Sequence, residues 1–541
     1  MIERNYQFKI EKGKTGSLFS LDKGGYFTNE DPITYISGIR VEFERTSDYG
    51  SLMYRTSNYK ITSPNNAAKA LENGVLVTFE DGGFPYVSLY ASTGDFDIKS
   101  VFLLTASTKN TLDENDDIEI FSINDMHGAI EYNVTSAQQI GASRLASYYQ
   151  SETMKNPDGS IVLSSGDMWQ GSADSNITSG LLMTEWMNLV GFEAMAIGNH
   201  EFDWGIKQIA TNDIAANFPF LGINIVDENN NRPSWAKASQ VIYRQGVKIG
   251  LIGAIGKLES SIAKSSLGGY SFLSNYPSLV SAEASRLRKE EGCSLVFLSI
   301  HNPSFDTDAC SNIDAVLEGH SHTYTSTVDS YGIPHIQCYA NGSMVQRLVF
   351  KKDINGNYKF ASKDQFGYQQ SSSLQENAAF EDLYSYFAEV IGVVKNEVVG
   401  TTDTGYTKEE IGKIGAKALY NYAKKTYPEY NVVVSFINTA GVRQKIGAGQ
   451  ITFGEIYAAF PFDNYNDICS IRGSALKSFM SGSYYYSYFA SNFALEENKV
   501  YNVITLSYVS ESSYGANLSI KERDDYFLRN IVGDYFREGN I

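Results

Sequence analysis

The chain has 541 residues, 43% of them hydrophobic, and 44 basic against 62 acidic side chains give it a net charge of −18. At about 150 residues per domain this length holds three or four domains, each able to bury its own core. The acidic balance excludes nucleic acid as the partner, since basic surface supplies most of that affinity; an anionic substrate stays open, because bound metal overrides the global field locally. With 37 Tyr and 30 Phe against 11 Pro, the chain is folded rather than disordered.

Residues 1–107 read as strands. The runs 35–44 (YISGIRVEFE), 75–79, 86–91 and 101–105 are separated by Gly, Asn and Asp turns, the pattern of an all-β sandwich. The polar stretch 108–117 (TKNTLDENDD) is a linker. From Ile118 short apolar runs at 118–123, 160–165, 194–198, 248–256, 294–300 and 315–319 alternate with helical segments, which predicts an α/β layered domain reaching residue 362. A helix predicted over 376–394 lies in a bridging segment, 363–398, and an α+β region follows over 399–541. No internal repeat is visible.

Cys293, Cys310, Cys338 and Cys469 form no CxxC pair and match no zinc spacing, so they read as buried free thiols. No apolar run approaches the ~20 residues of a membrane helix. The first thirty residues carry no signal-peptide core, which leaves an intracellular protein or a chain that starts after a removed export signal.

Five of the six histidines stand in short motifs that each follow an apolar run. In order these are Asn124-Asp125-Met126-His127-Gly128, Gly166-Asp167, Gly198-Asn199-His200-Glu201-Phe202-Asp203, Ile300-His301-Asn302 and Gly319-His320-Ser321-His322. A strand that ends in a small residue and then a ligand-type side chain places that side chain at the carboxyl edge of a sheet, where α/β folds bind ligands. Asp, Asn and His together make an oxygen–nitrogen set suited to Zn, Mn, Fe or Co. Each motif alone is ordinary; the ordered set is not.

That order and wording resemble the calcineurin-like metallophosphoesterases, and GNHEFDWG resembles their 5′-nucleotidase and UDP-sugar hydrolase branch. Asn438-Thr439-Ala440-Gly441-Val442-Arg443, with Gly449-Gln450-Ile451-Thr452 and Phe460-Pro461-Phe462-Asp463-Asn464, is similar to the nucleotide-binding C-terminal domain of that branch. The resemblance covers about residues 118–510 and leaves out the N-terminal β domain. It implies a four-layer α/β/β/α central domain between the β-sandwich and an α+β substrate-binding domain.

It also implies two divalent metal ions of open identity. Asp125, His127, Asp167 and His322 would hold one, and Asp167, Asn199, His301 and His320 the other, with Asp167 bridging. A metal-activated hydroxide would then attack a phosphate ester in line. His200 would donate a proton to the leaving alcohol or stabilise the transition state, with Asp203 orienting its ring. Asn438, Gly441, Arg443 and Phe462 would bind substrate, Arg443 through its forked donors and Phe462 by stacking on a base. The late segment Tyr508-Val509-Ser510-Glu511-Ser512-Ser513-Tyr514-Gly515 lacks the family's double glycine and aspartate; Tyr508 or Tyr514 could still stack there, and the residue that would bind ribose is left open.

The leading expectation is a phosphohydrolase acting on nucleoside 5′-monophosphates or related nucleotides. Alternatives are a UDP-sugar or cyclic-nucleotide hydrolase on the same centre, and a non-catalytic surface protein that keeps the fold. The family is mostly exported, so the resemblance implies an extracellular, cell-surface or periplasmic location. The N-terminal domain is a candidate for cell-surface or carbohydrate contact, or a stabilising spacer. His335 matches no ligand motif, and the run 484–489 (YYYSYF) reads as helix packing.

Overall fold

The computed structural model describes residues 8–540 apart from 15–18, 34, 63–67, 80–82, 107–114, 136, 303, 482 and 513–514. Most of the expected linker, and Tyr514, therefore lie outside the described residues.

The N-terminal domain is all antiparallel, and its eight strands form one continuous sheet. The strand Phe19–Asn29 turns the sheet over: its first residues pair with Phe96–Ile98 and its later ones with Ser88–Tyr90. The two halves close on a shared interior that includes Leu21, Ile39, Val41, Leu89, Phe96 and Ile98. Tyr54 and Phe79, from near opposite ends of the strand order, lie with ring centroids 5.6 Å apart.

The strand Ser51–Ser57 is buried along its whole length, because its outer face rests on the central domain. There Arg55 and Ser57 meet the buried Asp158. Lys23 and Tyr49 both bond Glu185, and Arg45 bonds Asp382 of the bridging helix.

The central domain has two six-stranded sheets. In the first, Phe220–Leu221, Ala194–Ala196, Ser160–Ser164 and Ile118–Ile123 run parallel, and antiparallel Met344–Lys352 and Tyr358–Gly367 complete the edge. In the second, Val247–Ile255, Leu295–His301, Ala315–Glu318 and Pro334–Cys338 run parallel between two antiparallel edge strands. The sheets face each other across Ile120, Ile161, Leu163 and Ala194 on one side and Ile249, Leu251, Phe297 and Leu317 on the other.

Helices cover both outer faces: Leu145, Tyr149 and Trp186 pack on the first sheet, and Val280, Ala284 and Leu287 on the second. Strands buried on both faces must be apolar throughout, which is why they read as continuous runs rather than alternating ones. The four layers match the expected architecture.

The bridging helix is Ala378–Lys395. It starts two residues later than the apolar pattern suggests because the Asn377 side chain accepts the Phe380 N–H as an N-cap. Its stripe Phe380, Leu383, Phe387 and Ile391 joins the central core.

The C-terminal domain is a mixed five-stranded sheet in the order Tyr485–Phe489, Val434–Asn438, Val500–Leu506, Asn466–Arg472, Ser519–Asp524. Helices Lys408–Thr426, Phe453–Ala459 and Leu528–Arg537 share one core with it. The tyrosine-rich run is an edge strand rather than a helix. It does pack on a helix: a Cβ at Gly412 would lie 2.3 Å from the Tyr486 ring. All four cysteines are free, three of them buried and Cys310 half-buried.

Asp158 ties the N-terminal domain to the central one. It is 3% exposed, accepts from Ser57 Oγ and the Asn58 N–H, and faces the buried Arg55 guanidinium at 3.4 Å. Asp158→Ala removes the nearest counter-charge of a buried arginine, and a loss of about 3 kcal/mol is expected. It is checked as a lowered denaturant midpoint at unchanged slope.

Candidate metal centre and substrate cleft

Every proposed ligand sits at the carboxyl end of a parallel strand. Asp125 and His127 follow Ile118–Ile123, Asp167 follows Ser160–Ser164, Asn199 follows Ala194–Ala196, His301 ends Leu295–His301, and His320 and His322 follow Ala315–Glu318. Five of them hold left-handed backbone: Asp125 (φ 49), His127 (48), Asp167 (55), His320 (81) and His322 (56). Non-glycine residues there cost of order 1–3 kcal/mol each and persist only when the surroundings impose them. A Cβ at Gly198 would lie 2.2 Å from Asp167 Oδ1, so the glycine before Asn199 is required for close approach of the two loops.

The loops bring the ligand atoms into two groups, Asp125 with His127 and His322, and Asp167 with His301 and His320; within each group all ligand atoms lie within 4.8 Å of one another. In the first, His322 Nε2 is 3.0 Å from His127 Nε2 and 3.3 Å from Asp125 Oδ1. In the second, His301 Nε2 is 3.1 Å from Asp167 Oδ2, and Asn199 Oδ1 is 3.2 Å from His301 Nε2 and 2.9 Å from His320 Nδ1. All seven side chains singled out in the sequence converge.

The donor chemistry fits metal. Each carboxylate has one oxygen satisfied by the protein: Asp125 Oδ2 accepts from Asn124 Nδ2 and the His320 N–H, and Asp167 Oδ1 from the His200 N–H. Its other oxygen, Asp125 Oδ1 or Asp167 Oδ2, is buried without a donor. Such an oxygen is expensive unless a cation meets it. His127 Nδ1 lies 2.8 Å from the Gln170 carbonyl and His301 Nδ1 2.7 Å from that of Ser165. Carbonyls only accept, so both Nδ1 atoms carry a proton and both Nε2 atoms face the site. Burial, reinforced by the His200 charge, pushes the His127 pKa down to about 3 and keeps the ring neutral.

His200 differs from the ligands. Its Nδ1 is 2.8 Å from Asp203 Oδ2. Burial works against the charged ring, but the Asp203 and Asp167 carboxylates outweigh it and raise its pKa to about 9. Asp203 is therefore a ring partner and not a helix cap; the following helix, Gly205–Ala215, has Trp204 at its N-cap.

Sequence reasoning missed Glu201, which is fully buried and accepts the N–H groups of Asp167, Met168 and Gly198 at 2.7–2.9 Å. One carboxylate thus ties two ligand loops together. Acceptance of backbone N–H groups leaves no mark in residue type or spacing, so nothing in the sequence announced it. His335 stays outside the ligand set and pairs with Glu318 at 3.2 Å.

The C-terminal domain closes over this centre. The Phe462 ring lies 5.6 Å from that of His200, and the Arg443 guanidinium 5.8 Å from the Phe462 ring. Burial lowers the Arg443 pKa, and no carboxylate among the described residues pairs with it. Asn438 Oδ1 is buried without a donor, and a Cβ at Gly441 would lie 3.0 Å from it. A cavity of about 180 Å³ is bounded by His200, Asp203, Asn438, Arg443, Phe462 and Tyr508. Tyr508 therefore borders the cavity from the late segment. Glu511 of that segment instead bonds Arg523 and the Ser265 N–H of the central domain, while Asn176 Nδ2 donates to the Pro461 carbonyl at 2.8 Å.

Residues 390–513 match the family model described as the 5′-nucleotidase C-terminal domain. Among curated relatives, the snake venom 5′-nucleotidase of Gloydius brevicauda is 25% identical over 67% of this chain and 69% of its own length. An apyrase of Tabanus yao is 27% identical over 66% and 72%, and the Mus musculus 5′-nucleotidase 24% over 67% and 70%. Among solved structures, a 5′-nucleotidase precursor from Thermus thermophilus aligns with a TM-score of 0.66 at 17% identity, covering 78% of this chain and 96% of that one. The 5′-nucleotidase of Candida albicans aligns with 0.55 at 14% identity, covering 78% and 98%.

The two facing sheets, with Asp, Asn and His side chains gathered at their carboxyl edges, have the fold of the solved 5′-nucleotidases. Residues 390–513 match a 5′-nucleotidase C-terminal domain, and the chain is similar to 5′-nucleotidases and apyrases over about two thirds of its length, with an N-terminal β domain in addition.

Asp167 lies in the second group, and the resemblance makes it the carboxylate that would be shared with the first. Asp167→Ala is expected to lower bound Mn or Zn from about two ions per chain to below one, read by elemental analysis after gel filtration. A variant that keeps both ions removes Asp167 from the bridging position.

Proposed function

We propose that the protein hydrolyses phosphate esters of nucleotides, nucleoside 5′-monophosphates foremost, at a centre of two divalent ions drawn from Zn, Mn, Co and Fe. The observation that carries this reading is the pair of donor-free carboxylate oxygens, Asp125 Oδ1 and Asp167 Oδ2, each among imidazole nitrogens beneath an unpaired arginine. Metal bound by Asp125, His127, Asp167, Asn199, His301, His320 and His322 would supply a hydroxide nucleophile near neutral pH and offset phosphate charge.

The remaining work falls to this chain's own groups. The Arg443 guanidinium, with five donors and no carboxylate partner, binds phosphate oxygens as a fork. Asp203 holds His200 Nδ1–H, which directs Nε2–H outward as the proton donor for the departing alcohol. Phe462 and Tyr508 offer aromatic faces for the nucleoside base, and Asn438 Oδ1 an acceptor for its polar edge. The chain divides for this purpose into the 1–107 accessory domain, the 118–362 catalytic domain and the 399–541 substrate domain, joined by 108–117 and 363–398. No helix among the described residues is long and apolar enough to cross a membrane; similarity to a snake venom enzyme supports an extracellular or cell-surface role in nucleotide breakdown.

The test is a panel of AMP, cyclic AMP, UDP-glucose and para-nitrophenyl phosphate with Mn or Co, before and after chelation. AMP is expected to have the highest kcat/KM, and the chelator to abolish turnover. Turnover that survives chelation, or a cyclic nucleotide preferred over AMP, overturns the reading. His200→Asn is expected to keep its metal and lower kcat by about 10²–10⁴-fold; parallel loss of metal would place His200 among the ligands.

A further inference from the structure

Two openings lead to the metal centre. One is the cavity of about 180 Å³ beside Phe462 and Tyr508. The other is a cleft of about 1010 Å³ on the side of His127 and His322, and Arg443 borders both. Gln170 borders the cleft together with His127 and His322.

The Gln170 side chain is 1% exposed, and its Nε2 is buried with no acceptor among the described residues. A buried N–H without a partner is disfavoured, because water solvates it in the unfolded chain and nothing replaces that water on folding. Trp169 and Gln337 hold buried donors of the same kind, but neither borders an opening of the centre. Gln170 therefore shares the status of Asp125 Oδ1 and Asp167 Oδ2 with the opposite polarity: the oxygens call for a cation, and the amide calls for an acceptor.

The segment that carries this donor is fixed from three sides. The Gln170 carbonyl accepts from His127 Nδ1 at 2.8 Å, and the Ser172 N–H donates to the His127 carbonyl at 3.1 Å. Between them the Gly171 N–H donates to Asn176 Oδ1 at 2.9 Å, and Asn176 Nδ2 donates in turn to the Pro461 carbonyl at 2.8 Å. Gln170 is thus tied to a candidate metal ligand on one side and to the residue before Phe462 on the other. A donor held this way needs no reorganisation to meet charge on a bound group.

From this we propose that the Gln170 carboxamide donates a hydrogen bond to a non-bridging phosphoryl oxygen of the ester held at the metal centre. This rests on the functional reading above and adds to it an uncharged donor from the central domain, opposite in origin to the Arg443 guanidinium of the C-terminal domain. An amide offers an N–H without adding to the positive charge that two cations and a guanidinium supply. The contact is to the phosphoryl group, which all the candidate monoesters share, and so carries no preference for a base.

The variant is Gln170→Met, which keeps the length of the side chain and removes the donor. It is compared with the wild type by the melting temperature of the metal-free protein, by bound Mn, and by kcat and KM for AMP and para-nitrophenyl phosphate. The melting temperature is expected to hold or rise, since an unsatisfied donor leaves the interior, and bound Mn to stay the same. The kcat is expected to fall by about 10²–10³-fold, equally for the two esters. The inhibition constant of inorganic phosphate is expected to rise about five-fold.

A lowered melting temperature means that the amide is already satisfied in the free protein. Loss of metal means that it serves the ligands, and an unchanged kcat or a loss confined to AMP removes it from the phosphoryl group. Each of these overturns the proposal while AMP hydrolysis by the wild type stands. If the wild type hydrolyses neither ester, the functional reading fails instead. Calorimetric titration of both Mn-loaded proteins with phosphate then decides: weaker binding by the variant supports the contact, and equal affinities overturn it.

Discussion

Two buried carboxylate oxygens without donors organise this protein. An ionised oxygen out of water and without a hydrogen bond is tolerated only where a cation completes its shell. Asp125 and Asp167 each hand one oxygen to the protein and leave the other among imidazoles. The surrounding structure serves that arrangement: five residues are forced into left-handed backbone, Gly198 lets two loops approach, and Glu201 holds three N–H groups of those loops. Strain of this kind is distributed over strand ends that two apolar sheets hold rigidly in place.

The domains divide the chemistry. The central domain holds the candidate metal ligands and the His200–Asp203 pair; the C-terminal domain supplies a guanidinium with no carboxylate partner among the described residues, and aromatic faces, at the candidate centre. Neither set is a complete site alone. Contacts across the boundary include Glu511 with Ser265 and Asn176 with the Pro461 carbonyl, Phe462 against His200, and Ala173 and Ile177 of the central domain packed into the C-terminal core.

The N-terminal domain is joined differently. Tyr26, Met53 and Tyr90 enter the central core itself, Asp158 and Glu185 take buried polar contacts from it, and Arg45 with Tyr49 reaches the bridging helix at Asp382, Tyr386 and Phe387. This attachment combines apolar packing with buried polar contacts. It braces the start of the one helix that carries the C-terminal domain, and so favours the stabilising role over a separate binding module.

Much of this was legible in residue order. The parallel strands of the central domain, such as 118–123 and 294–300, announce themselves because burial on both faces demands unbroken apolar runs. The ligands are legible because each follows such a run directly, and strand ends in a parallel sheet converge. Where residue type is ambiguous the sequence misleads: the run 484–489 is an edge strand, since aromatic residues suit strand and helix alike and the edge of a sheet selected between them.

The sequence by itself determined which side chains are candidates for the chemistry, because metal ligation requires particular atoms and those atoms belong to few residue types. Only the tertiary structure decided how the chain completes the centre. Glu201 acts through backbone donors, Glu511 is drawn to Arg523 and Ser265, and Arg443 lies between two openings. Each is a relation between segments far apart in the chain, set by packing, and no local pattern encodes it.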